Sequence, residues 1–274
     1  MLRQGLSRRV RKPLNATIGI SAFAVTTLSA LLKVTPDDVG NPIVLSVVTF
    51  SHRSSWWVIP ISLIIGLIAQ YARSNVGSPD VWELVQYILD RYRDEMFEKN
   101  NETNEDPQHF HRVTLYKSTR WRWAFVRWPG SEWVVPVARS GSTTKTKIPC
   151  FRSSRNNPNA AEGVVGQTWA RVNRRVPAFE LPDLNMEHPN EADVETYARR
   201  TFVSVEWVKW QIKKQQRGPQ ARALLGIPVE AKGNSWGVLV VDSRSPQPIQ
   251  LNKVFKSPGF QAHSDLLSRL LEKV

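Results

Sequence analysis

The sequence predicts an α+β protein in which an antiparallel sheet flanked by helices follows two apolar helices. Three observations predict it. Residues 14–32 and 56–72 form two runs without a charged side chain, long enough to cross a bilayer core. Residues 79–98 and 261–274 repeat apolar side chains at helical spacing. Between these helices lie short apolar or alternating segments separated by Gly, Asn and Ser turns, which is how neighbouring antiparallel strands read.

The first run, LNATIGISAFAVTTLSALL, is closed by Lys33, so a span is expected over about 14–33. At 1.5 Å per residue it just crosses a core of ~30 Å. The second, WWVIPISLIIGLIAQYA, spans about 56–72, with Trp56 and Trp57 at one end and Tyr71 at the other. Such rings suit the two membrane interfaces. Pro60 is read as first-turn, where proline costs least. A basic start before an apolar run is also the pattern of a signal peptide. The length of the run, the lack of a clear small-x-small cleavage site and the second run that follows favour a retained helix. Arg3, Arg8, Arg9, Arg11 and Lys12 precede the first run, whereas the connecting loop sets Asp37 and Asp38 against Lys33, His52 and Arg53. The positive-inside rule then places both termini in the cytoplasm, in a multi-pass protein of the inner (plasma) membrane. Residues 1–75 are the expected anchor and 79–274 the cytoplasmic domain. Segment 43–50 (IVLSVVTF) fits either a strand or a continuation of the second helix. Ala16, Gly19, Ala22, Ala24, Ser29 and Ala30 are small enough for close helix approach, so self-association is expected.

The net charge is +13, shared by both parts: eight Lys/Arg against two Asp in residues 1–75, and 29 against 22 Asp/Glu in the rest. Such a surface attracts anionic lipid, phosphorylated ligands or nucleic acid. Cys150 is the single cysteine, which excludes an internal disulfide and any thiol-based metal site. It is expected to be structural.

Ser78-Pro79-Asp80 starts the first helix of the domain, with Val81, Leu84, Val85, Ile88, Leu89, Tyr92, Met96 and Phe97 on its apolar side. Residues 99–109 are polar and loop-like. Residues 113–116, 121–128 and 133–138 read as three strands, and 141–160 as a loop. A helix is expected over 163–172, a short strand over 176–179, and a loop over 181–192. One long helix is expected over 194–214. Segments 224–229 and 237–242 form a hairpin around Gly233-Asn234, with Trp236 and Leu239 expected inside it. The last helix carries Leu266, Leu267, Leu270 and Leu271.

This order, and the wording of four segments, resembles a GAF domain over about 79–274. VVPVARSG (134–141) looks like that family's second strand and turn. GVVGQTWA (163–170), followed by VPAFELPD (176–183), looks like its glycine-led helix and next strand. LLGIPV (224–229) and WGVLVVD (236–242) look like its closing hairpin. The resemblance implies an antiparallel sheet with a small-molecule pocket under the middle helices and loops, or a dimerisation module. The Asn-Lys-Phe-Asp-Glu arrangement of the cyclic-nucleotide subgroup is absent. So are the cysteines of the sulfoxide-reducing and bilin-attaching members, and both activities are disfavoured. On the implied pocket side, the candidate ligand-binding residues are Arg139, Trp169, Arg171, Arg199, Arg200, Thr201 and Ser204. Arginine forks suit phosphate, and tryptophan faces suit bases or cations.

No catalytic constellation, P-loop, dinucleotide fingerprint or metal-ligand spacing appears, so neither an enzyme nor a cofactor is expected. His109 and His111 read as a surface loop or strand end, and Asp183, Glu187 and His188 as loop residues. WRWAFVRW (121–128) fits single-strand stacking or headgroup contact, but a plain strand better, and nucleic acid is not an expected partner. The expected partners are the bilayer, a small anionic ligand and a second copy of the chain. The function expected is that of a membrane-anchored sensor, signalling through its spans or through oligomerisation. The two-span layout is similar to that of membrane effectors in nucleotide-signalled antiphage systems. The alternative is a membrane-tethered dimerisation adaptor without a ligand.

Overall fold

The computed structural model describes residues 3–97, 111–119, 121–123, 126–127, 132–140, 150–155, 157–171, 174–184, 189–214, 221–244 and 258–272. His109, Glu187, His188 and parts of the 121–128 and 141–160 segments lie outside them. The chain divides into two compact units, one essentially residues 5–79 and the other 80–273.

The first unit is a helical hairpin. Helix α1 (Arg3–Leu31) and helix α2 (Pro42–Val76) are both long and apolar enough to cross a membrane. Segment 43–50 is helical. Asn41 caps α2 by accepting from the Ile43 and Val44 amides at 2.9 and 3.4 Å, and Pro42 occupies the first turn. Pro60 is therefore mid-helix rather than first-turn, and it removes the amide that would bond the Trp56 carbonyl. The two helices run antiparallel. His52 Nε2 lies 3.1 Å from the Val34 carbonyl at one end, and Arg11 Nη1 lies 3.5 Å from Ser78 Oγ at the other. Between them Gly66 meets Ser21: a Cβ at position 66 would sit 3.3 Å from the Ser21 Cβ. Ser21, Ser51, Ser54 and Ser55 are buried, while Phe23, Trp56 and Leu67 are exposed. The hydroxyls of Ser51 and Ser54 donate to carbonyls four residues back, of Val47 (2.8 Å) and Phe50 (2.5 Å). Each buried serine of this pair thus carries its own acceptor.

The second unit is α+β, with a six-stranded antiparallel sheet. Helix α3 (Pro79–Met96) leads to β1 (His111–Thr119). Among the described residues of 121–128, two short strands, β2 (Trp121–Trp123) and β3 (Val126–Arg127), pair with each other in a separate two-stranded sheet, where the sequence pattern predicted one strand. Then come β4 (Glu132–Arg139), β5 (Phe151–Ser153), α4 (Gly163–Ala170), β6 (Val176–Ala178), α5 (Glu191–Thr201), α6 (Val205–Lys214), β7 (Ala223–Ala231), β8 (Asn234–Ser243) and α7 (Pro258–Leu271). The sheet order is β5-β4-β1-β8-β7-β6. Strand β5 adds to the sheet edge inside the segment read as a loop. The β7–β8 turn has Lys232 and Gly233 both at positive φ, 53° and 69°, the geometry of a two-residue hairpin turn.

The long helix expected over 194–214 is two helices. Phe202 adopts a left-handed conformation (φ 59°, ψ 38°) and ends α5. Ser204 then starts α6, its Oγ accepting from the Trp207 amide at 3.1 Å. Phe202 also touches both ends of α4. Its carbonyl accepts from the Gly163 amide at 2.6 Å, and the Arg171 guanidinium lies 5.7 Å from its ring centroid.

Cross-strand pairs sort the sheet into two faces. Arg112↔Asp242, Thr114↔Val240 and Tyr116↔Val238 share one, with Arg139 opposite Thr114. Helix α4 lies flush on this face at Gly226, where a Cβ would come 1.9 Å from Thr168 Oγ1. Val165 and Trp169 of α4 pack there against Tyr116, Val134, Val238 and Val240 of the sheet. Helices α5 and α6 continue the cover with Val194, Tyr197, Ala198, Val208 and Ile212, over Val176 and Ala178 of β6. On the other face Val113, Leu115, Leu225, Leu239 and Val241 are buried. Helices α3 and α7 pack together through Tyr92, whose hydroxyl is 2.5 Å from Ser264 Oγ and whose ring meets Phe260 edge-on at 5.0 Å. Trp82 joins the buried side of α3, whereas Leu84 and, on α7, Leu266 are exposed.

Candidate functional site

Charge is concentrated at one place inside the second unit. Arg112 near the start of β1 and Asp242 near the end of β8 are register partners, and Arg112 Nε donates to Asp242 Oδ1 at 2.5 Å. Arg139, the last residue of β4, brings Nη2 to 3.7 Å from Asp242 Oδ2. Two guanidiniums therefore share one carboxylate on a covered sheet face, and Arg139 is only 8% exposed. Strand geometry imposes this. Alternation aims Arg112 and Asp242 to the same side, and the antiparallel register sets them side by side.

The electrostatics follow the charge count. The Asp242 carboxylate holds the Arg112 guanidinium more firmly protonated than usual. Arg139 shifts the other way, because burial disfavours its charge and Arg112 repels it, with Asp242 only partly compensating. Two buried phenols border the cluster. Burial pushes both Tyr116 and Tyr197 above the ordinary phenol range, and both sense the charges of Asp242 and Arg112. They are neutral hydroxyls at physiological pH. Ser140, just after Arg139, is buried and accepts from the Val113 amide at 2.8 Å.

The residues singled out from the sequence do not all meet here. Arg139 does. Trp169 lies nearby in the layer with Tyr116, its Nε1 donating to Glu132 Oε2 at 3.0 Å and its ring under the Arg155 guanidinium at 4.1 Å. Arg171 caps the end of α4 and is exposed. Arg199 is exposed, and Arg200 donates to the carbonyls of Phe179 (3.3 Å) and Glu180 (2.6 Å). Thr201 is buried, bonding the Tyr197 carbonyl at 2.7 Å. Ser204 is the start of α6. Arg112, Asp242, Tyr116 and Tyr197 are the cluster members that sequence reading missed. The available signal was a charge near one end of each of two apolar strands, Arg112 and Asp242, which becomes a pair only once the register is known.

Comparison with known proteins adds little to this geometry. No family model matches the chain, and no curated protein matches it significantly. Among solved structures, the chain is similar to the chromophore-binding domain of the unusual bacteriophytochrome RpBphP3 from R. palustris. The TM-score is 0.29 and the identity 12%, over 69% of this chain and 54% of that one. A second structure of bacteriophytochrome RpBphP3 gives a TM-score of 0.27 and 14% identity, over 60% of this chain and 30% of that one. The chain thus spans about half of the first and less than a third of the second. At superpositions this low the fold stands on its own topology.

A separate groove of about 210 Å³ lies over the α5–α6 corner, lined by Pro189, Glu191, Val194, Lys209, Ile212 and Lys213. It is away from the arginine pair, and the exposed Lys209–Glu191 ion pair (2.9 Å) borders it. Among the described residues no group of three or more His, Cys, Asp or Glu is placed to hold a metal. Cys150 is exposed.

Proposed function

We propose that the chain is a membrane-anchored sensor whose GAF-like domain binds a small anion at Arg112 and Arg139. The observation that carries the ligand half is the juxtaposition of two guanidinium forks, Arg112 and Arg139, beside Asp242 within a covered layer. Two converging guanidiniums on a covered sheet face offer the planar donors that suit a phosphate or carboxylate guest. A signalling nucleotide is the first anion to try, with antiphage defence the setting that the two-span layout suggests. Binding would work without chemistry on the ligand, changing the packing of α4 and α5 and through it the spans or the oligomer.

The anchor half rests on the hairpin. Its charge-free stretches, residues 13–32 and 54–72, lie alongside each other and are bracketed by Lys12 and Lys33 and by Arg53 and Arg73. Each is ~30 Å of helix, the thickness of a bilayer core. The basic N-terminal end puts the domain on the cytoplasmic side.

Two experiments test the halves separately. Exposed Cys150, the chain's single thiol, is a built-in topology reporter: a membrane-impermeant maleimide should label it in lysed cells and not in intact ones. Labelling in intact cells refutes the topology. For the ligand, inorganic phosphate, AMP and a cyclic dinucleotide are titrated against the full chain in nanodiscs. Arg139→Gln should weaken whichever binds by about tenfold or more, the loss of one charge-assisted contact. If none binds the unaltered protein, the adaptor reading replaces this one. The feature that favours it is the flush seat of α4 at Gly226, with Leu84, Tyr87 and Leu266 left exposed on α3 and α7.

A further inference from the structure

The hairpin is electrically lopsided. Its loop end sets Lys33 and Arg53 against Asp37 and Asp38. Its other end carries Arg9, Arg11 and Lys12 on α1 and Arg73 on α2, with Arg3 and Arg8 further along α1, and Asp80 is the first carboxylate beyond it. Arg9, Lys12 and Arg73 are exposed, and Arg9 and Lys12 are three apart and so neighbours on one helix face. The Arg11–Ser78 contact brings the basic turn of α1 beside the end of α2. Directly next to these cations begin the charge-free stretches, and exposed Tyr71 sits at the boundary.

We propose that this end of the hairpin is a docking surface for anionic phospholipid headgroups, a claim that rests on the anchor reading above. The guanidinium and ammonium groups would take the headgroup phosphate, the Tyr71 ring would lie at the carbonyl level, and the acyl chains would run along the apolar helix surface immediately beyond. A soluble phosphate could satisfy the cations alone. Only a lipid also uses the apolar surface that abuts them, and the site therefore selects lipid by combining the two. Juxtamembrane cations act on anionic lipid additively and within a Debye length, so three exposed ones give a large preference.

The experiment uses the full chain, purified in detergent and offered equal amounts of phosphatidylglycerol and phosphatidylcholine, with retained lipid read by native mass spectrometry. The unaltered protein should retain phosphatidylglycerol about tenfold or more over phosphatidylcholine, and excess inorganic phosphate should not displace it. The triple variant Arg9→Gln, Lys12→Gln, Arg73→Gln should lose that preference, while Lys33→Gln, Arg53→Gln at the loop end keeps it. These are exposed side chains, so the variants should fold. Equal retention of both lipids, equal loss in both variants, or displacement by inorganic phosphate overturns the proposal. Carbonate extraction separates this from the anchor: a chain that is stripped from membranes refutes the anchor itself, whereas one that resists extraction without lipid preference refutes only the headgroup site.

Discussion

The two units of this chain are built inside out with respect to each other. In the hairpin, Phe23, Trp56 and Leu67 are 72%, 77% and 69% exposed, while Ser51 and Ser54 are nearly inaccessible. In the sheet domain the large apolar side chains, Trp82, Leu115, Leu239 and Leu267 among them, are the inaccessible ones. The anchor proposed above gives this contrast a physical reason. In water, burying apolar area drives packing; in lipid it would gain nothing, and close backbone approach through small residues with self-satisfied hydroxyls would take over.

Matched substitutions break this contrast most sharply. Leu239→Ala should cost the domain about 2–5 kcal/mol, because it empties a fully packed position. Leu67→Ala, chemically identical, should leave the unfolding midpoint of the detergent-purified chain unchanged. A large loss at Leu67 would mean that the hairpin's outer surface is packed against something. Trp236 is only half-buried, with the Lys117 ammonium 4.9 Å from its ring centroid, and Trp236→Ala should cost less than Leu239→Ala. Asp242→Ala comes next. It removes the carboxylate between two guanidiniums on a covered face and should cost about 3 kcal/mol, whereas Arg139→Gln, which leaves the Arg112–Asp242 pair intact, should cost less. Chemical denaturation of the two variants side by side decides this. If Arg139→Gln is the more damaging, Asp242 is not the centre of the cluster. In the hairpin the corresponding tight spot is Gly66 against Ser21. Gly66→Val should overpack that contact by about 1–3 kcal/mol, read as weaker helix association in detergent.

The smallest effect is one of pH. His111 stacks on Phe97 at 3.7 Å, its Nδ1 is 3.0 Å from Ser243 Oγ, and burial lowers its pKa from 6.5 to about 4. The folded state thus prefers the neutral ring. Its contribution is fully present above pH 6.5 and is lost as pH falls from there through 4. For a half-buried ring this amounts to about 2 kcal/mol or less. His111→Gln should flatten the stability profile in that window and leave the rest unchanged. A profile that stays just as steep assigns the acid sensitivity to carboxylates.

Helices and most strands were legible in the sequence because their periodicity survives locally: helices over 79–96 and 163–170 and strands that include 224–229 and 237–242 lie where the pattern put them. The rest was less legible. Segment 43–50, rich in β-branched residues, fitted either a strand or a helical continuation; it is helical, because Asn41 and Pro42 start a helix there and capping outweighs propensity. The break at Phe202 was invisible because a left-handed phenylalanine leaves no compositional mark. Strand β5 is three residues in a polar stretch, too short to show a period. The site divides the same way. Arg139 could be picked out at a strand end, but its partners Arg112 and Asp242 lie 130 residues apart and are joined only by register.

The left-handed corner at Phe202 has a consequence for how the domain opens. Its carbonyl accepts from the first amide of α4 and its ring meets the residue that ends the same helix, so lifting α4 from the sheet breaks its contacts with the corner between α5 and α6. In native-state hydrogen exchange these three helices should therefore behave as one cooperative block, with amides of 163–170, 194–201 and 208–212 sharing a single opening free energy. A side chain at one bend would then govern the breathing of the entire layer above the arginine pair.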